Sequence, residues 1–499
     1  MNAIQGQTTR LTHPFLDGQP KRLLIDGQFV EAASGKMFET VNPATGEVLA
    51  QVAEGDAEDI GRAVAAARRA FEGPWGRSKP AERQRLLLKA ADLLEARFDE
   101  FAMLDTLDMG APLSRTQGGK HRCVGMLRYY AGLATAMHGE TIDNSVPGDF
   151  LSYTVKEPVG VVGGIIPWNS PLATAIWKVA PAIATGCTIV LKPAEEAPLS
   201  PLAFAALLLE AGVPPGVVNV VTGFGETAGA ALSAHRDVDK LAFTGSGEAG
   251  RHIIRASTSN FKRLSMELGG KSPDIVFADA DLDAAVAGAA MAVFLNAGQI
   301  CCAGTRLFVE RSIHDEFVER VGAFAAKLKV GNGMDAGIDM GPLVSRQQFD
   351  RVTGYFNKGV DQGARTVTGA ERIDTGDLEG GFFVAPTVFA DVKDQMDIAR
   401  EEIFGPVISA MPFDDIEDVI RRGNDTEYGL ACGVWTRDLK KAHRMTRAIR
   451  AGMIWVNCYN VQDPAIPFGG YKHSGFGREG GQQHMEEYLN VKSVWLNMQ

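Results

Sequence analysis

Between residues 159 and 268 the chain alternates short, apolar, β-branched runs with stretches of helical spacing, and this rhythm constrains the fold more than any other feature. Residues 159–166 form one such run, stopped by Pro167, and 172–184 follow as a helix closed by Gly186. Residues 188–191 make a second buried strand, and Ser200 is placed to cap a helix with Pro201 at its first position and Gly212 at its end. Strands at 217–221, 241–243 and 264–268 then alternate with helices at 227–232 and 250–256. Short buried strands joined by helices predict a parallel sheet wound on both faces. Such a sheet binds ligands beyond the carboxyl ends of its strands.

After Gly270 the alternation begins again. Strands at 274–277, 306–309, 384–389 and 407–413, with helices from Leu282 and Ile313, predict a second α/β domain ending near residue 472. A chain of 499 residues is too long for a single core, so two domains or more are expected. Before residue 140 the pattern is helical after a strand pair near 23–29, with helical spacing over 62–71 and 81–107. Leu86, Leu87, Ala90, Leu93 and Leu94 form one stripe. Residues 488–496 are β-rich and lie beyond both cores, where a strand needs a partner such as another subunit.

Charge and composition narrow the partners. Fifty Lys and Arg against 61 Asp and Glu give a net charge of −11, which leaves no basic excess for a nucleic-acid backbone. The longest apolar run, 284–295, is too short to span a bilayer, so no membrane partner is expected. The first twenty residues read as a polar, loosely held tail without a secretory pattern. Six cysteines (Cys123, Cys187, Cys301, Cys302, Cys432, Cys458) show no metal-ligand spacing. Reduced thiols in a cytoplasmic protein without a metal site are the expectation, although a cleaved organellar precursor would look the same.

Adjacent cysteines are most often buried small hydrophobes. Cys301 and Cys302, however, follow an apolar helix inside the Gly-flanked turn Ala297-Gly298-Gln299-Ile300-Cys301-Cys302-Ala303-Gly304, where a thiol can be exposed as a nucleophile. Glu267 ends a strand at the turn Glu267-Leu268-Gly269-Gly270; it is either a solvated loop carboxylate or a base for the thiol or a hydrolytic water. Asn169, in Pro167-Trp168-Asn169, either caps the next helix or donates to an oxyanion. Gly245-Ser246-Gly247-Glu248-Ala249-Gly250 matches the G-x-G-x-x-G string between a strand and a helix, which suits a phosphate. The acidic partner is expected about twenty positions on, at the end of a second strand; Glu267 is near that spacing but heads into its own glycine turn, and Glu195, after the second strand, is the better ribose ligand.

These strings, with Lys192-Pro193-Ala194-Glu195, Glu402-Ile403-Phe404-Gly405-Pro406-Val407 and Pro467-Phe468-Gly469-Gly470-Tyr471-Lys472, resemble the aldehyde dehydrogenase superfamily in their order, from about residue 24 to the C-terminus. The resemblance implies NAD(P)-dependent oxidation of a small-molecule aldehyde to a carboxylic acid, with NAD as cofactor and NADP as the alternative. It implies that Cys301 is the nucleophile, that Asn169 and the Cys301 amide form the oxyanion hole, and that Glu267 is the general base. Lys178 and Glu479 match proton-relay positions. Lys192 and Glu195 match ligands of the adenosine ribose, Glu402 and Phe404 those of the nicotinamide ribose and ring. Trp168, Gly245 and Ser246 would lie along the cofactor. The fold it implies is a Rossmann-like cofactor domain (1–138 and 159–267), an α/β catalytic domain (268–472) and a small β bridging segment (139–158 and 473–499) that joins subunits into homodimers or homotetramers.

Two departures bear on substrate. Ser170 stands where many relatives carry Phe, and Gly247 replaces a frequent Thr or Ser. Motif spacing puts Thr174, Trp177, Ile300, Cys302, Asn460, Gln462 and Phe468 around the entrance, a mix more polar than an aliphatic tunnel and open to bulky or aromatic aldehydes. Two rival readings are a CoA-acylating enzyme, which typically lacks the catalytic glutamate, and a non-catalytic member of the same fold, marked by loss of the cysteine or glutamate.

Overall fold

The 159–268 alternation folds as a parallel sheet in the order Val218–Val220, Thr188–Lys192, Val161–Ile165, Lys240–Thr244, Arg263–Glu267, in a computed structural model that describes residues 13–499. The chain steps outward from Val161–Ile165 to one side, then returns to add strands on the other. That reversal opens a crevice at the carboxyl edge. Antiparallel strands extend both sides: the hairpin Leu23–Ile25 and Gln28–Val30 beside Val218–Val220, and Gly475–Phe476 beside Arg263–Glu267. Residues 475–476 therefore belong to this sheet and not to the terminal β unit.

The second sheet carries the parallel strands Thr387–Ala390, Val407–Phe413, Arg306–Glu310, Pro273–Val276, Ala431–Trp435 and Met453–Val456, with Arg365–Thr368 antiparallel at one edge. The expected strand at 384–389 is two strands. Pro386 has no N–H to donate, and the chain changes sheets there, Phe383–Val384 pairing with Arg372–Ile373 instead. A third sheet joins Phe150–Pro158 to Leu489–Asn497 over nine residue pairs, with Thr141–Ile142 at its edge.

The N-terminal helices Ala57–Glu72, Pro80–Ala96, Phe98–Met109 and Lys120–Ala134 cover the first sheet and share cores with it, Leu87, Ala90 and Leu94 among the fully buried residues. The continuous spacing over 81–107 breaks at Arg97, whose φ of −118° and ψ of 20° leave the helical region. A hairpin of Met37–Val41 and Val48–Ala53, turned at Gly46 with φ 75°, was not anticipated, although Asn42-Pro43 and Gly46 signal a turn.

Ser200 is not a cap. The helix Leu199–Ala211 starts one residue earlier, and the Asp108 carboxylate of a neighbouring helix accepts the Leu199 N–H at 2.9 Å. Ser200 donates its hydroxyl to Asp105 instead. Of the tail, residues 13–20 are held down, His13 Nε2 lying 3.0 Å from the Glu100 carbonyl and Lys21 pairing with Asp17 at 2.6 Å. The remainder of the expected tail, and the reading of its signal content, lie outside the described residues. Among the described residues no helix is long and apolar enough to cross a membrane. All six cysteines are free thiols.

Candidate active site

The strings singled out in the sequence meet where the two large sheets face each other. Ile165, Lys192, Thr244 and Glu267 end four parallel strands of the first sheet, so Asn169, Glu195, Ser246 and Glu267 all lie at its carboxyl edge. The second sheet presents the opposite ends: Gly270, Cys301 and Phe404 precede the strands beginning at Pro273, Arg306 and Val407. Hydrogen bonds cross the junction. Asn169 Nδ2 donates to the Gln299 carbonyl at 2.9 Å and Asn296 Nδ2 to the Asn169 carbonyl at 3.1 Å, while on the second sheet's side the Gly270 N–H donates to Glu402 at 2.9 Å.

The cysteine loop is shaped by left-handed backbone. Asn296, Ala297 and Gly298 have φ of 59°, 53° and 72° in succession. A left-handed residue other than glycine costs roughly 1–2 kcal/mol, so the surroundings must hold it. Arg115 donates to Asn296 Oδ1 at 2.9 Å, Gln299 Nε2 donates to the Asn296 carbonyl at 3.1 Å, and Gln299 Oε1 accepts the Val344 N–H at 2.9 Å. A Cβ on Gly298 would collide with the Gly405 carbonyl. The two thiols leave this loop differently. Cys302 is buried, its Sγ 3.6 Å from Asn460 Oδ1 and its carbonyl accepting the Tyr459 hydroxyl at 2.8 Å. Cys301 is only partly buried and borders the cleft. Its interaction with the Cys302 thiol, then burial, then the Glu267 carboxylate push its proton affinity well above that of an ordinary thiol. At rest it is a thiol that needs a base.

Glu267 is 5% exposed, and its Oε1 has no hydrogen-bond partner. Burial raises its proton affinity, opposed by the Lys178 and Arg478 charges. Lys178, fully buried on the helix Pro171–Thr185, forms an ion pair with Glu479 and donates to Thr244 Oγ1 at 2.8 Å. Burial pulls the Lys178 ammonium down while Glu267 pulls it up. Lys178, Glu479 and Thr244 thus form one contiguous hydrogen-bonded group.

The residues matched to a cofactor fit a phosphate-linked dinucleotide. Lys192 Nζ holds Glu195 Oε2 at 2.7 Å at the strand end, a carboxylate suited to vicinal hydroxyls. Ser246 caps the helix Gly247–Ser257 by accepting the Ala249 N–H at 3.2 Å, and no heavy atom lies within 4 Å of where a Cβ on Gly247 would sit. An open helix N-terminus of this length suits a phosphate. Gly245 lies against the Phe243 ring, where a Cβ would be 2.5 Å from Cζ. Burial raises Glu402 to about 7. Its segment is pinned by Arg351 and by Gln348, which donates to the Phe404 carbonyl at 2.7 Å. Phe404, at φ 59°, meets Trp168 edge-on at 5.3 Å.

At the proposed entrance the Trp177 and Phe468 rings stack with centroids 6.0 Å apart, and Ile300 and Cys302 belong to the same apolar cluster. Thr174 adds little polarity, since its hydroxyl donates to the Ser170 carbonyl at 2.7 Å within its own helix. Ser170 precedes that helix without a capping bond. Gln462 donates to Asn460 Oδ1 at 3.4 Å and leaves its own buried Oε1 unpartnered. Sequence reasoning missed Arg122, whose guanidinium lies 4.6 Å over the Trp177 ring. Only the packing of the helix Lys120–Ala134 against this site reveals it.

The sequence matches the aldehyde dehydrogenase family over residues 29–494. It is 52% identical to the mitochondrial benzaldehyde dehydrogenase of Antirrhinum majus over 96% of this chain and 90% of that one. It is 50% identical to the mitochondrial aldehyde dehydrogenase of Homo sapiens over 96% of this chain and 92% of that one. The NAD+ complex of an aldehyde dehydrogenase from Bacillus cereus superposes with a TM-score of 0.95 at 50% identity, covering 97% of this chain and 98% of that one. The chain belongs to the aldehyde dehydrogenase family and is an oxidoreductase of that class.

Proposed function

We propose that the chain oxidises an aldehyde to a carboxylic acid with NAD, through a thioester on Cys301. The observation that carries this is the convergence of a partly exposed thiol, the Asn169 amide and a buried carboxylate with an unpartnered oxygen at one sheet junction. Glu267 takes the Cys301 proton, and the sulfur adds to the carbonyl carbon. The second N–H of Asn169 Nδ2 and the Cys301 amide stabilise the alkoxide of the thiohemiacetal. Bound NAD supplies the hydride acceptor. Lys178, Thr244 and Glu479 carry the thiol proton away, so that Glu267 is again a carboxylate when it accepts a proton from the water that attacks the thioester; the Cys301 thiolate leaves and the acid is released. The presence of Glu267 favours hydrolysis over acyl transfer to CoA. An aldehyde panel with NAD, followed by NADH absorbance and by product analysis with and without CoA, tests the reading; no NADH with any aldehyde overturns it.

Lys192 and Glu195 would hold the adenosine ribose, Ser246 the pyrophosphate, and Glu402 and Phe404 the nicotinamide end, with Trp168 along the cofactor beside Phe404. A 2′-phosphate would bring like charge against Glu195, so kcat/KM with NAD exceeds that with NADP by about 10-fold or more. Steady-state kinetics with both cofactors checks this, and equal constants contradict it.

The same reading divides the chain into the cofactor unit (1–138, 159–267, with the strand 475–476 added to its sheet), the catalytic unit (268–472) and an oligomerisation unit (139–158 and the rest of 473–499) of a cytoplasmic homodimer or homotetramer. Support for the last comes from the exposed Val491, Trp495 and Leu496 on the terminal strand.

For substrate, the small side chain of Ser170, two turns before Trp177 at the start of the same helix, would spare room for a bulky or aromatic aldehyde, and one relative is named a benzaldehyde dehydrogenase. Apolar contact contributes about 25 cal/mol per Å², so a ring that fills this space gains over a two-carbon chain. Benzaldehyde and phenylacetaldehyde are expected to exceed acetaldehyde in kcat/KM, and Ser170→Phe to narrow or reverse the gap. Acetaldehyde as the best substrate of the unaltered enzyme would refute this account of the pocket.

A further inference from the structure

Arg122 is a cation without a partner. It forms no hydrogen bond and no ion pair with any described residue, and its guanidinium lies 4.6 Å over the Trp177 ring, which stacks on Phe468. Trp177, Phe468, Cys301 and Cys302 pack in one apolar cluster, so Arg122, over the Trp177 ring, stands on the same wall as the two thiols. Arg122, Gly125 and Tyr129 share one face of the helix Lys120–Ala134 by their spacing, and a Cβ on Gly125 would touch Pro464, on the loop that carries Gln462 and Phe468. Arg122 is thus framed by three elements: its own helix, the helix Pro171–Thr185 and that loop.

The Asp463 carboxylate on the loop acts on Tyr129 and accepts the Ala465 N–H at 2.8 Å, but it forms no ion pair with Arg122. The second guanidinium in the region, Arg115, is engaged by the Asn296 amide oxygen and repels Arg122. Arg122 and Arg115 thus bring two cations to this region, Arg115 also feeling the Asp105 charge, in a chain whose net charge is −11. Trp177 Nε1, buried and unpartnered, adds another donor on the residue that Arg122 covers. Arg122 is partly exposed and unpaired, so its guanidinium is open to an anion that enters the cleft from solvent.

We propose that Arg122 selects aldehydes that carry a remote carboxylate, pairing with it while the aldehyde group reaches Cys301. This rests on the proposed aldehyde oxidation and names its substrate class. It is compatible with a ring-sized pocket, because the Trp177–Phe468 stack lies along the same wall. Arg122 is a specificity residue: it holds the end of the substrate away from the reacting carbon.

The test compares matched pairs, 4-carboxybenzaldehyde against 4-methylbenzaldehyde and succinate semialdehyde against butanal, on the full-length enzyme with saturating NAD. In at least one pair the carboxylated member is expected to show the higher kcat/KM. Arg122→Met is expected to lower the charged-to-neutral ratio by about 10–100-fold, chiefly through KM of the charged substrate, as loss of a charge-assisted bond predicts. Arg122→Lys keeps part of the ratio. Because each ratio is taken within one protein, partial misfolding cancels. If neither pair favours the carboxylate, or if Arg122→Met lowers both members equally, the proposal is overturned. The second of those outcomes would make Arg122 a partner of the Cys301 thiolate instead. Failure of every aldehyde to yield NADH would count against the oxidation reading itself, which separates the two.

Discussion

Replacing Cys301 by alanine removes aldehyde oxidation, with turnover falling by ~10⁴-fold or more, while Cys302→Ser keeps most of it. The asymmetry follows from how one loop disposes of two adjacent thiols. Cys302 is 1% exposed and lies against Asn460, so a serine hydroxyl there finds the same oxygen to donate to. The variant loses some dispersion and apolar burial, about 1 kcal/mol. Cys301 is the thiol at the cleft, and without it no covalent intermediate forms; binding and the oxyanion donors alone do not replace a nucleophile. Steady-state turnover of both variants on the same aldehyde decides the matter. Comparable losses would mean that the two sulfurs share the chemistry, and the assignment of one nucleophile would fall.

What the sequence made legible is what local patterns encode. Alternating apolar runs located the strands, and since parallel strands place their following residues at one edge, Asn169, Glu195, Ser246 and Glu267 could be gathered before any coordinates. The features that escaped depend on partners distant in the chain. Ser200 has the form of a cap, but the Asp108 carboxylate, reaching from another helix, does the capping. Arg122 sits in an ordinary helix and gains its meaning only where that helix meets Trp177. Residues 475–476 follow the catalytic segment yet pair with Arg263–Glu267 of the first sheet. The left-handed run at Asn296 and Ala297 is imposed by Arg115, Gln299 and the Gly405 carbonyl, none of which is encoded in the run itself.

Glu267→Gln is expected to stop the cycle after acylation. Glutamine is nearly isosteric and hydrogen-bonds at the same place, so the fold and the aldehyde site persist, but an amide cannot accept the proton of an attacking water. Hydrolysis of the thioester should slow by about 10²–10⁴-fold, the usual contribution of a positioned base. Intact-protein mass spectrometry after mixing with aldehyde and NAD would then show an acyl adduct on Cys301 wherever some thiol still attacks. The pH dependence gives an independent reading. Burial raises the Glu267 proton affinity, so the competent carboxylate is present above the ordinary carboxylate range and is lost as pH falls through the raised value. The unaltered enzyme should therefore show turnover that climbs with pH over that interval, and Glu267→Gln should lack that limb. A second rise, at higher pH, belongs to Cys301, whose thiol is also pushed up, and should survive in the variant. A variant that neither accumulates acyl-enzyme nor slows would move the base elsewhere, with Lys178 and Glu479 the next groups to replace.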